Sequence, residues 1–184
     1  LAFMSICAFW QLYDNIIPLI LLNTFHLKDT VSGFIMSLDN ILALFMLPLF
    51  GVFSDRVNTR MGKRMPFIVF GTILAAFAML LLPIADLMQS MLLFFTALGL
   101  TLFAMATYRS PAVALMPDIT PKPLRSKANA IINLMGAVGG IITLILITLL
   151  VPKTANPNYF PLFLSIASIM LLCVAILFMT ITEK

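Results

Sequence analysis

Two acids and one arginine stand inside long apolar runs: Asp14, Asp39 and Arg109. A charge in hydrocarbon costs on the order of a few kcal/mol, so each marks a functional position by default. At about 1.5 Å per helical residue, Asp14 lies roughly 15 Å from the end of its run, Asp39 roughly 12 Å and Arg109 roughly 10 Å. The two acids fall near the middle of successive antiparallel spans, where they can face one cavity. A desolvated carboxylate holds its proton more tightly and can carry it. Asp14, Asp39 and Arg109 are therefore the candidate path for a coupling ion. A buried ion pair that only holds helices together is the alternative. Around Asp14 the chain reads Trp10-Gln11-Leu12-Tyr13-Asp14-Asn15. Trp10 and Asp14 are one helical turn apart, as are Gln11 and Asn15. Aromatic rings normally mark the ends of a span, not its middle. A ring face beside amides and a carboxylate suits a sugar, with polar groups replacing water at its hydroxyls. Trp10, Gln11, Tyr13, Asp14, Asn15 and Asn40 are the candidate substrate-binding residues, against the alternative of hydrogen bonding between helices.

These residues need spans to hold them. The chain has 184 residues, 62% hydrophobic and 10% charged, with mean hydropathy +1.12. A soluble domain of that size does not carry so apolar a composition. Six runs reach the roughly 20 residues that cross a bilayer: Leu1 to Thr24, Val31 to Phe53, Met65 to Ala85, Ser90 to Met116, Ala128 to Val151 and Phe160 to Ile181. They show no alternation of period two, which excludes barrel strands. The expected fold is all-α and membrane-integral, with six transmembrane helices.

Eight cations fall in alternate loops or at the C-terminus (Arg56, Arg60, Lys63, Arg64, Lys122, Arg125, Lys127, Lys184), and only Lys28 and Lys153 in the others. This bias places both termini in the cytoplasm of a multi-pass protein. The net charge of +4 thus reflects topology and not nucleic-acid binding. Cys7 and Cys173 lie in apolar runs without metal-ligand spacing, and His26 lies alone in a loop, so no metal or cofactor is expected. The chain starts at Leu1 inside an apolar run, which reads as a fragment lacking its N-terminal tail.

The most polar segment runs from Gly51 to Pro66, G-V-F-S-D-R-V-N-T-R-M-G-K-R-M-P, and is expected as a hairpin loop in water. Gly51 would let one helix approach a neighbour closely, and Asp55 would pair with loop arginines or cap a helix. The pattern Gly51, Asp55-Arg56, Arg60, Gly62-Lys63-Arg64 and Pro66-Phe67-Ile68 resembles the loop between helices 2 and 3 of the major facilitator superfamily. It is most similar to the glycoside–pentoside–hexuronide:cation symporters and the sucrose symporters. Pro111, Ala114-Leu115, Pro117-Asp118 and Arg125 resemble the end of helix 4 in the same group. There the three prolines of Pro117 to Lys127 are expected to end the fourth helix.

The resemblance implies the N-terminal six-helix half of a transporter of about twelve helices, with a C-terminal half as partner. It implies a conformational loop motif of Gly51, Asp55, Arg56, Arg60, Gly62, Lys63, Arg64, Asp118 and Arg125. The implied activity is symport of a sugar or glycoside by alternating access in a plasma membrane, a bacterial cytoplasmic membrane being the expectation. Sodium-coupled members carry D-x-x-x-D-P-x-x-G on helix 2; those acids fall on Ala43 and Leu47 here, which points to protons. Where plant sucrose symporters have arginine two residues after the helix-4 proline, this chain has Val113, and its arginine precedes the proline at Arg109. The fifth run has a small and polar stripe, Asn129, Asn133, Gly136, Gly140 and Thr143, expected as a tight helix contact, with the alternative that the asparagines also face a water-filled path. A membrane-embedded enzyme is disfavoured, because no nucleophile–histidine set or acidic metal motif is present.

Overall fold

The computed structural model describes residues 1–57, 59, 62–152, 154 and 157–181. Arg60 of the loop motif, and Lys153 and Lys184 of the charge pattern, lie outside the described residues. Six long apolar helices form: α1 (Ala2–Asn23), α2 (Asp29–Arg56), α3 (Met65–Leu87), α4 (Met91–Ile119), α5 (Arg125–Leu150) and α6 (Phe160–Thr180). Each is long and apolar enough to cross a bilayer.

Two boundaries depart from the sequence expectation. Helix α2 runs on to Arg56, so Gly51, Asp55 and Arg56 are helical, and α3 takes up Met65 and Pro66 at the other end of the polar segment. Helix α4 passes through Pro111 and Pro117 to Ile119, so Pro117 does not end it and Asp118 lies in its last turn. A membrane helix tolerates proline where neighbours satisfy the freed carbonyls. Pro117 leaves the Val113 carbonyl without its helical donor, and at the helix end the Arg125 guanidinium donates to the Pro117 carbonyl itself at 2.9 Å.

The packing has an internal symmetry. The strongest pairings are α3 with α4 and α1 with α5, matched by α6 with α1 and α4 with α2. Exchanging α1 for α4, α2 for α5 and α3 for α6 maps each pairing onto its counterpart. The first three helices and the last three are thus two inverted repeats. Helices α1, α3, α4 and α6 hold most of the core, while α2 and α5 bury little of themselves.

Close approaches occur at glycines. A Cβ on Gly71 of α3 would meet the Tyr108 Cβ of α4 at 2.9 Å. A Cβ on Gly136 of α5 would meet Cys7 Sγ and the Phe3 ring at 2.9 Å, and one on Gly139 would run into the Met4 carbonyl of α1. Thr143 donates to the Ala8 carbonyl at 3.1 Å. The small stripe of α5 is therefore a tight helix contact, as expected, with Gly139 rather than Gly140 nearest. Asn129 and Asn133 stay exposed.

Gly139→Ala is expected to cost about 1–3 kcal/mol of stability, because backbone cannot yield to the added methyl. Gly99→Ala, where a Cβ meets nothing within 4 Å, should stabilise or leave the protein unchanged. Unfolding of the purified protein in detergent micelles distinguishes the two.

Candidate functional site

The buried face of α1 carries Ile6, Phe9, Tyr13, Ile16 and Ile20. Its other face carries Gln11, Asp14, Asn15 and Pro18, which stay at least partly exposed. Asp14 is nine residues from the α1 end at Asn23, and Asp39 ten from the α2 start at Asp29. Both are therefore about 14–15 Å deep in their spans. Asp39 is near enough to Asp14 and Tyr13 to act on both electrostatically. Pro18 lacks an N–H, which deprives the Asp14 carbonyl of its helical donor and adds a polar group there.

Arg109 neither bridges an acid nor reaches the helix end. Its guanidinium lies 5.3 Å from the centre of the Trp10 ring, an attraction of about 0.5–2 kcal/mol. Among the described residues no ion pair joins Arg109, Asp14 or Asp39. Trp10, Asp39 and Arg109 instead wall a small cavity of about 20 Å³, with Leu42, Ala43 and Leu47 behind it. Trp10 also stacks edge-on against Phe9 and Tyr13, both at 5.3 Å. The Trp10 Nε1 and Tyr13 hydroxyl are buried and lack a hydrogen-bond partner among the described residues. Buried donors without partners cost about 1–3 kcal/mol each, so this is a site short of hydrogen-bond acceptors.

The remaining candidates lie around this centre. Asn40 is exposed and donates to Asp39 at 3.0 Å. Asn15 donates to the Gln11 carbonyl at 2.7 Å, and the Gln11 side chain lies beside Gly140 of α5. What fixes the rotation of α4, and so aims Arg109, is its neighbour Tyr108. That side chain is fully buried and donates to the Ala2 carbonyl at 2.9 Å, with Ser5 Oγ bonded to the same hydroxyl. A tyrosine in an apolar run gave no signal of this role in the sequence.

The loop motif assembles around Arg64. Its guanidinium pairs with Asp55 of α2 at 2.9 Å, with Asp118 of α4, and with Ser54 Oγ at 3.1 Å. One arginine thus ties the ends of α2 and α4 to the start of α3. Gly51 faces α4, where an added Cβ would meet Ser110 Oγ at 3.3 Å, and Ser110 donates to the Leu47 carbonyl at 3.0 Å. Gly62 has φ of 102°, a conformation that favours glycine. Arg56 and Lys63 are exposed. Sequence reasoning also passed over Asp86. It stands one residue beyond the expected end of the third run, and α3 carries it inside, 7% exposed.

Six spans with a polar, partly exposed face at mid-depth define a multi-pass membrane protein of transporter type. The chain belongs to the Major Facilitator Superfamily, a family of transporters and not of enzymes, whose profile matches residues 1–184. It is similar to Sucrose transport protein SUC3 of Arabidopsis thaliana, 26% identical over 140 residues that cover 66% of this chain and 24% of that protein. The chain thus spans about a quarter of that relative's length. No solved structure matches it significantly.

The two polar anchors should differ in weight. Asp118 is 45% exposed, so Asp118→Asn is expected to cost under about 1 kcal/mol. Tyr108→Phe strips a fully buried hydroxyl and should cost about 1–3 kcal/mol. Denaturant unfolding of both variants in micelles checks the order.

Proposed function

We propose that the chain is the N-terminal six-helix half of a proton-coupled symporter for a sugar or glycoside. The supporting observation is the meeting of Trp10, Asp39 and Arg109 around one small cavity, with Asp14 close by. Charged side chains at mid-span are kept where they do work, and transporters bind solute and ion at that depth. Trp10 and Tyr13 offer ring faces and unpaired donors to sugar hydroxyls; Gln11, Asn15 and Asn40 add amides. Asp39 or Asp14 carries the proton. Arg109 of α4 and Asp39 of α2 line the same cavity, so proton binding and release at Asp39 would alter what holds α2 near α4.

Both termini lie in the cytoplasm, and the basic ends of the helices with them. Arg64, with Asp55 and Asp118, is then a cytoplasmic clamp that opens and closes in alternating access, with Arg56, Lys63 and Arg125 at the same end of the bundle. The similarity to a sucrose transport protein supports the solute class. The absence of paired acids at Ala43 and Leu47 supports protons over sodium.

The test is uptake of labelled sucrose, maltose and a pentoside by the full-length protein in vesicles. A pH gradient is expected to drive it, and a sodium gradient is not. Asp39→Asn and Asp14→Asn are each measured, and at least one should lower proton-driven uptake about tenfold or more, the equivalent of about 1.4 kcal/mol. A normal response to the pH gradient in both variants would refute the coupling assignment. No sugar uptake under either gradient would leave a facilitator-fold transporter of another small solute.

A further inference from the structure

A second polar site lies at the end of the bundle away from the basic loops. A cavity of about 280 Å³ opens there between the α1–α2 turn, the end of α3 and the start of α6. Asn23, Thr24, His26, Asp86, Gln89 and Tyr159 supply its polar wall. Asp86 as a residue is 7% exposed, and its side chain lines this cavity. Thr24 Oγ1 donates to its Oδ1 at 2.5 Å, and among the described residues no cation pairs with it. Tyr159 is 3% exposed; burial pushes its phenol above the usual range and the charge of Asp86 pushes it further.

A buried carboxylate without a counter-charge costs several kcal/mol. The walls offer what a hard cation takes: one carboxylate, two hydroxyls and two amide carbonyls. A single negative charge is balanced by a single positive one, whereas a divalent ion would leave an excess. The volume leaves room for the ion's own water. We propose that this cavity binds a hydrated monovalent alkali cation as the counter-ion of Asp86. The ion would tie the α1–α2 turn and the start of α6 to the end of α3. His26, Asp86 and Tyr159 are the titratable groups that face it. None of them belongs to the transport centre at Trp10, Asp39 and Arg109, so the inference stands independently of that reading.

The probe is sodium, against choline at equal ionic strength and mildly alkaline pH, with the thermal midpoint of the full-length protein in detergent as readout. Sodium should raise the midpoint by several degrees over choline. Asp86→Asn should abolish that difference. Thr24→Val and Tyr159→Phe keep the charge and should each weaken the apparent sodium affinity, which keeps the test decisive if Asp86→Asn does not fold. The response should survive Lys153→Gln. The proposal is overturned by no sodium effect in the parent protein or by an undiminished one in Asp86→Asn. Unchanged affinity in both conservative variants, or a response seen only once Lys153 is removed, would also overturn it.

Discussion

An ionised side chain has nowhere to go in hydrocarbon, and that constraint organises the molecule. The outward residues of α3 are Phe70, Ile73, Phe77 and Leu81, and those of α6 include Leu172, Ile176, Phe178 and Met179. These surfaces suit lipid. The outward face of α1 instead presents Gln11, Asp14 and Asn15, next to Asp39 and Asn40 of α2. Such a face is kept only where water, solute or further protein covers it. The bundle therefore has an apolar side and a polar side, and the charges decide which is which.

Lipid supplies no hydrophobic pressure between helices, so the polar face is held in place by contact and hydrogen bonding. Gly71 lets α3 touch α4 at Tyr108, while Gly136 and Gly139 let α5 touch α1. Tyr108 then locks α4 to the start of α1 through Ala2 and Ser5. The next residue is Arg109, and its place over Trp10 follows from that lock. At the basic end Arg64 performs the comparable task for three helix ends, but in partly exposed surroundings. A tie that weak suits the clamp proposed above for this end of the bundle.

Much of this was legible in the sequence. Hydropathy located all six spans, because an apolar run of that length has one stable conformation in a bilayer. Gly51 was read as a close approach, and it faces Ser110 of α4. The helix ends were harder. Proline is a reliable stop in water, yet α4 continues through Pro117 to Ile119, and Arg125 caps the Pro117 carbonyl near its end. Pairings between distant segments were not legible at all. Nothing local to Arg109 says that it will rest on Trp10 rather than pair with an acid, and nothing local to Asp86 says that α3 will bury it. Those outcomes depend on how helices rotate against one another, which glycine contacts and Tyr108 determine.

The central claim is that the face bearing Asp14 and Asn40 meets water inside the membrane. Thiol reactivity tests it most directly. In a full-length background carrying Cys7→Ala and Cys173→Ala, the variants Asp14→Cys, Asn40→Cys and Phe77→Cys are exposed in vesicles to a charged, membrane-impermeant thiol reagent. The account predicts that Asp14→Cys and Asn40→Cys react many times faster than Phe77→Cys on the lipid side. Equal, slow reaction at all three positions would contradict it, and the polar face would then be a sealed contact between helices.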